Sequence, residues 1–186
     1  MQAIDALLQR QSARALTEPA PDAAALDLIF ESAARAPDHG RLRPWRFVVI
    51  GTEARARFGE LLAEHLRRTR GSASDEALER ERRKAFRAPV IVVVAAAVTV
   101  GGKIPEIEQV LSAGAAAHTV LLAAAALGFS GVWKTGGAAY DDTVKRALGL
   151  QSRDSIVGFI YLGTEETAAA AAPPRPGWRD LVRHWR

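Results

Sequence analysis

Leu26, Ile29, Phe30 and Ala33 recur at the i, i+3, i+4, i+7 spacing of one buried helical stripe. Asp22 can cap that helix after the break at Pro19-Ala20-Pro21. Pro37 closes it, because a proline turns the residue before it away from helical geometry. Ile4, Leu7 and Leu8 define a shorter helix ahead of it, ending near Arg10. Residues 47–50 read as the first strand. Residues 52–70 are expected to be helical, with Phe58, Leu61, Leu62 and Leu66 inward. Gly71-Ser72-Ala73-Ser74 interrupts, and residues 75–86 form a second, heavily charged helix. Residues 90–98 are continuously apolar and β-branched, as in a central strand covered on both faces. Pro105 opens a long helix to about Leu127, with Gly128 as its stop. Its apolar positions spread around most of the circumference, so it is expected to be buried on most sides. His118 on it reads as a satisfied interior histidine, and Gly114 with the alanines would let the helix pack against its own copy. A short strand ending in the Gly136-Gly137 turn follows, then a short helix begun by Asp141 and Asp142, then a buried strand over 156–162.

After Gly163 the character changes. Alanines 168–172 and Pro173-Pro174-Arg175-Pro176-Gly177 form an arm that ends in Leu181, Val182 and Trp185. The organisation expected is therefore a domain over 1–163 and a C-terminal arm over 164–186. The arm would dock on a partner subunit, with 181–185 adding to its sheet.

Length and composition narrow the class. The 186 residues suit one domain. No cysteine is present, which excludes disulfides and thiolate metal sites. The acid-bearing start M-Q-A-I-D does not read as a signal peptide. The most apolar run is far short of the roughly 20 residues of a membrane helix. A soluble, cytoplasmic protein with no membrane partner is expected. The net charge of +4 suits a small anion as well as a nucleic acid. Arg80, Arg82, Arg83, Lys84 and Arg87 resemble a nucleic-acid patch, but Asp75, Glu76, Glu79 and Glu81 are interleaved with them. A partly self-paired helix face, with no nucleic-acid partner, is the better reading.

No dinucleotide-binding, P-loop, zincin or nucleophile-elbow motif is present, and the four histidines show no metal spacing. What stands out is three cationic, donor-rich turns on an α/β frame. Arg10-Gln11-Ser12-Ala13-Arg14 is the first. The second is the stretch from Arg35 through His39 to Trp45-Arg46, and the third is Trp133-Lys134-Thr135-Gly136. Such a set, without a nucleophile, base or metal, fits a protein whose cofactor carries the chemistry while the chain supplies binding and electrostatics. A protein that binds flavin without reductase activity fits the same residues, as does, less well, a basic nucleic-acid-binding protein.

These turns also resemble, at matching positions, the FMN-dependent nitroreductase family in its small YdjA-like branch. Arg10–Arg14 is similar to the family's R-x-S-x-[RK] opening. Ala36-Pro37-Asp38-His39 with Pro44-Trp45-Arg46-Phe47 is similar to A-P-(D/S)-H…Q-P-W-R-F, and Gly131–Gly136 to G-I-W-R-S-G. The resemblance implies an α+β fold: a three-layer α-β-α sandwich with a mostly antiparallel central sheet, in an intertwined homodimer with FMN at the interface. It implies that Arg10, Gln11 and Ser12 bind the ribityl-phosphate side, and that Trp133, Lys134 and Thr135 flank the flavin. Arg14 would sit near the pyrimidine edge, and Arg35 and His39 would arrive from the partner. No side chain is implied as a catalytic group. NADH or NADPH would pass a hydride to flavin N5 and leave, and a small-molecule acceptor such as a nitroaromatic or quinone would take its place. Two positions depart from the pattern: Gln11 where the branch usually has arginine, and Arg43 where a glutamine usually precedes Pro-Trp.

Overall fold

The computed structural model describes residues 3–165 and 177–185. It contains α1 (Ala3–Gln9), β1 (Leu16–Thr17), α2 (Ala23–Ala33), β2 (Trp45–Ile50), α3 (Arg55–Arg70), α4 (Asp75–Arg83), β3 (Val90–Ala96), α5 (Glu106–Ala126), β4 (Ser130–Lys134), α6 (Asp142–Ala147) and β5 (Ser155–Glu165). The sheet runs β1-β5-β3-β2, with β4 also paired to β5, and every pairing is antiparallel.

β3 is the centre because it can be. All seven of its residues are buried, Val and Ile filling both faces between β2 and β5. On one face Ile91, Val93 and Ala95 meet Phe58 and Leu62 of α3 and Val144 of α6. On the other, Val92 and Val94 meet Ala116, Ala117 and Val120 of α5 and Ile29 and Ala33 of α2. Those two apolar layers make the sandwich. The caps fall where the sequence puts them: Asp22 accepts from the Ala25 N–H, and Asp141 from those of Thr143 and Val144.

One element was not anticipated, and other details differ from expectation. β1 pairs only Leu16 and Thr17 with Glu165 and Thr164, and a two-residue strand has no periodicity to read. β5 runs through Gly163 to Glu165, so regular structure continues past residue 163. α5 is covered around most of its circumference but keeps one stripe open: Ile107 and Leu111 are 61% and 64% exposed. His118 lies on the same open face and is exposed, not interior. An alanine-rich helix has no polar side to mark its outside, which is why the pattern misled. Length and composition alone would let α5 cross a membrane, but its small residues Ala113, Ala116, Ala117 and Ala124 are packed at full burial. The charged helix α4 pairs its own charges as expected: Arg80 with Glu76, Arg83 with Glu79, Lys84 with Glu81, and Arg82 with Glu79 and with Glu60 of α3.

Candidate functional site

β4 is the short strand along which two of the three turns meet. The Ala13 N–H donates to Gly131 O at 3.1 Å and the Arg14 N–H to Glu165 Oε1 at 3.2 Å. These bonds lay residues 10–14 along the strand. Arg10 and Gln11 then line a cavity of about 210 Å³ with Ser130, Gly131 and Leu121. Arg14 and Lys134 line a second, of about 520 Å³, with Phe86, Arg87 and Val132. Arg14, Lys134 and Thr135 are exposed, as is Ser12, which lines neither cavity. Cations therefore stand at both ends of one strand edge, with backbone between them. Glu165 faces the Arg10 cavity as well.

Strand alternation separates two residues that the motif places side by side. Lys134 follows Val132 onto the α3 side, whereas Trp133 joins the α5-side core. Its indole N–H donates to Val157 O at 3.2 Å. The ring lies so close over β5 that a methyl at Gly158 would be 2.1 Å from the indole nitrogen, which only glycine permits. Trp133 thus anchors β4, and its own backbone and the side chains of Lys134 and Thr135 face outward.

Arg35 and His39 lie elsewhere. His39 Nδ1 is 2.5 Å from Glu108 Oε2 near the start of α5, and Ser112 Oγ donates to Pro37 O at 2.7 Å. Arg35 pairs with Glu31 at 3.7 Å and is exposed. Asp38 folds the loop that follows: its carboxylate accepts the Leu42 and Arg43 N–H groups at 3.2 and 2.7 Å. Arg41 and Arg43 take left-handed φ of 55° and 48°, strain of about 1–3 kcal/mol each that such anchoring must offset. The Arg10 cavity abuts Leu121 and Ala125 of α5. At about 1.5 Å per residue, Glu108 and Leu121 are separated by roughly 20 Å. One chain therefore does not bring the second turn, with Arg35 and His39, to the first and third.

The sequence reading missed a cluster on the α3 side. His65 Nδ1 is 3.0 Å from Asp141 Oδ2, and both side chains are largely buried. Arg68 bonds the same oxygen at 2.7 Å. Burial alone would raise the Asp141 carboxyl's pKa. The N–H groups of Val144 and Thr143, His65 and Arg68 overcome that and hold it below its ordinary value. His65 lines a cavity of about 470 Å³ with Lys134, Thr135 and Gly137 over a floor of Phe58, Leu62 and Phe159. Tyr161, also in this cavity, is pushed up to about 12 by burial. The 76-residue separation of His65 and Asp141 left no local motif.

A sequence profile described as the nitroreductase family matches residues 7–164. The chain is 39% identical over 185 residues, covering all of both chains, to YdjA of Escherichia coli (strain K12), provisionally named an NAD(P)H nitroreductase. A Desulfovibrio desulfuricans protein provisionally named a nitroreductase, solved in complex with FMN, matches with a TM-score of 0.76 at 26% identity, over 100% of this chain and 98% of that one. A nitroreductase-like family protein from Bacillus cereus shares the fold with a TM-score of 0.84 at 21% identity, over 100% and 96% of the two chains.

Proposed function

The chain belongs to the nitroreductase family, and on that premise we propose that it is an FMN-dependent NAD(P)H oxidoreductase serving a small-molecule acceptor, with each site completed by a second copy of the chain. The observation that carries the reading is the row of donors along β4, with Arg10 and Gln11 at one end and Arg14, Lys134 and Thr135 at the other. The donor set fits FMN. A phosphate is held best by charge-assisted bonds, which Arg10 supplies beside the amide of Gln11 and the hydroxyl of Ser12. Lys134 and Arg14 would supply positive charge to the ring's pyrimidine edge, and Val132 and Phe86 give their cavity apolar wall. Bound FMN would supply the two-electron chemistry, from NADH or NADPH to a nitroaromatic, quinone or related acceptor.

Geometry supports the second copy. α5 exposes Ile107 and Leu111, α1 exposes Ile4, Leu7 and Leu8, and α2 exposes Leu28. Large apolar side chains exposed on helices that pack together are the mark of an association face. Two copies of α5 packed antiparallel would set the Arg35 and His39 end of one against the Arg10 and Leu121 end of the other. A two-fold axis would do so twice. The C-terminal arm belongs to the same reading. Leu181 and Trp185 are 83% and 102% exposed, and among the described residues β2 has no strand on its outer edge. Residues 181–185 of one copy are proposed to add there on the other. The intervening residues 166–176 lie outside those described.

The spectrum of the purified protein tests the reading. A yellow dimer that bleaches with NADH or NADPH under nitrogen is expected. A colourless protein that also fails to bind added FMN would overturn it, and bleaching only by dithionite would leave a flavin-binding protein without reductase activity. A chain ending at Glu165 should be monomeric and flavin-free; an intact yellow dimer would show the arm dispensable.

A further inference from the structure

Resting on the reductase reading, we propose that His65 is a catalytic residue, the proton donor to the acceptor, with Asp141 and Arg68 as its positioning residues. Reducing a quinone or nitro group by hydride leaves negative charge on an acceptor oxygen, and a positioned acid accelerates such steps. The geometry singles out His65. Asp141 is an acceptor only when ionised, so Nδ1 must donate to it and Nε2 is left as the working nitrogen. No hydrogen bond engages Nε2 among the described residues, and it faces the Gly136-Gly137 turn: a methyl at Gly137 would sit 2.9 Å from it. That turn directly follows Lys134 and Thr135, and all of them line the one cavity. Asp141 is itself fixed by the Thr143 and Val144 N–H groups at 2.8 and 3.1 Å and by Arg68. The imidazole is therefore aimed by a second group that is aimed in turn, the arrangement of a base held by an orienting carboxylate.

The other charges around it are Arg70, the Glu81–Lys84 pair, Arg87 and Lys134, with Tyr161 in the cavity wall. They favour an anion in the cavity. Among them His65 is the one imidazole. With a quinone, the acceptor would gain a hydride, two electrons and one proton, drawn from NADH or NADPH, which is oxidised; bound FMN would supply that two-electron chemistry. The Nε2–H bond breaks and an O–H bond forms on the reduced oxygen. Neutral hydroquinone leaves, and water returns a proton to Nε2.

The test compares FMN-loaded wild type with His65→Gln, using benzoquinone and ferricyanide as acceptors across about pH 5 to 9. Ferricyanide takes electrons without a proton. The ratio of quinone to ferricyanide turnover should fall about a hundredfold in His65→Gln, and the alkaline limb of the wild-type quinone profile should vanish. A readout independent of turnover is the ¹⁵N spectrum. In wild type without reductant, 4-nitrobenzoate should shift the His65 Nε2 resonance and leave Nδ1 in place. Should His65→Gln not fold, Gly137→Ala, which sets a methyl against Nε2, must lower the same ratio. An unchanged ratio and pH profile in a yellow, NAD(P)H-bleachable variant would overturn the role of His65 and leave the reductase reading standing. A wild type that binds no FMN would overturn both.

Discussion

The two ends of α5 differ in what they leave open, and in the proposed dimer they would carry different halves of one site. The end near Glu108 holds His39 and the Pro37 loop and leaves Ile107 and Leu111 uncovered. The end near Ala125 is packed under β4 and borders the Arg10 cavity. The first leaves large apolar side chains open; the second packs its apolar side into the core and borders the cavity lined by Arg10 and Gln11. In the proposed dimer these two surfaces would meet about a two-fold axis. The packing of α5 would then link a sequence rich in small residues to a shared site.

The comparison breaks most completely at its apolar half. Leu111→Glu would bury an unpaired charge between copies, which costs several kcal/mol. The variant is expected to sediment as a monomer and lose FMN while keeping its helical circular dichroism. A stable yellow dimer would show that this face is not the interface. The cationic half gives the next effect. Arg10→Ala and Lys134→Ala should each weaken FMN by about 1.5–3 kcal/mol, roughly ten- to 150-fold in Kd. Titration of apoprotein is the check, and unchanged affinity in both would remove β4 from the site.

Asp141 gives a smaller effect that isolates the α3 side. Its folded-state pKa lies below the ordinary value of 3.8, so the ionised form favours folding. That contribution is fully present above 3.8 and is lost as pH falls through the depressed folded value. Asp141→Asn, which keeps an acceptor at the α6 cap, should be less stable than wild type at neutral pH, and the gap should close in strong acid. Urea unfolding at several pH values measures it; a pH-independent gap would contradict the assignment. Arg14→Ala is the subtlest. A guanidinium beside the flavin's pyrimidine edge stabilises the negative charge of the reduced ring, so the variant should have a lower midpoint potential with its fold intact. An equal or higher potential would take Arg14 out of the site.

Much of the fold was legible because its signals are strong and local. The Leu26–Ala33 stripe, the β-branched run at 90–96 and the caps at Asp22 and Asp141 each fix an element without tertiary help. β1 was not legible, since two residues carry no pattern, and the outer face of α5 was not, since alanine does not distinguish solvent from a partner. Arg10, Arg14, Lys134 and Thr135 were legible through the motifs that resemble the family. Trp133 and Lys134 share a motif, but alternation sends their side chains to opposite faces. His65 was invisible because its meaning lies in Asp141 and Gly137, which only the packing of α3 against the β4 turn brings near.

Mixed dimers test the shared site most directly. Differently tagged Arg10→Ala and His39→Ala chains, co-expressed and purified as the doubly tagged dimer, should bind one FMN per dimer with wild-type affinity. The His39→Ala chain still offers Arg10 and the Arg10→Ala chain still offers His39, so one of the two sites is whole. If every site were built within one chain, each would carry a substitution, and no wild-type site would appear; that result would contradict the account.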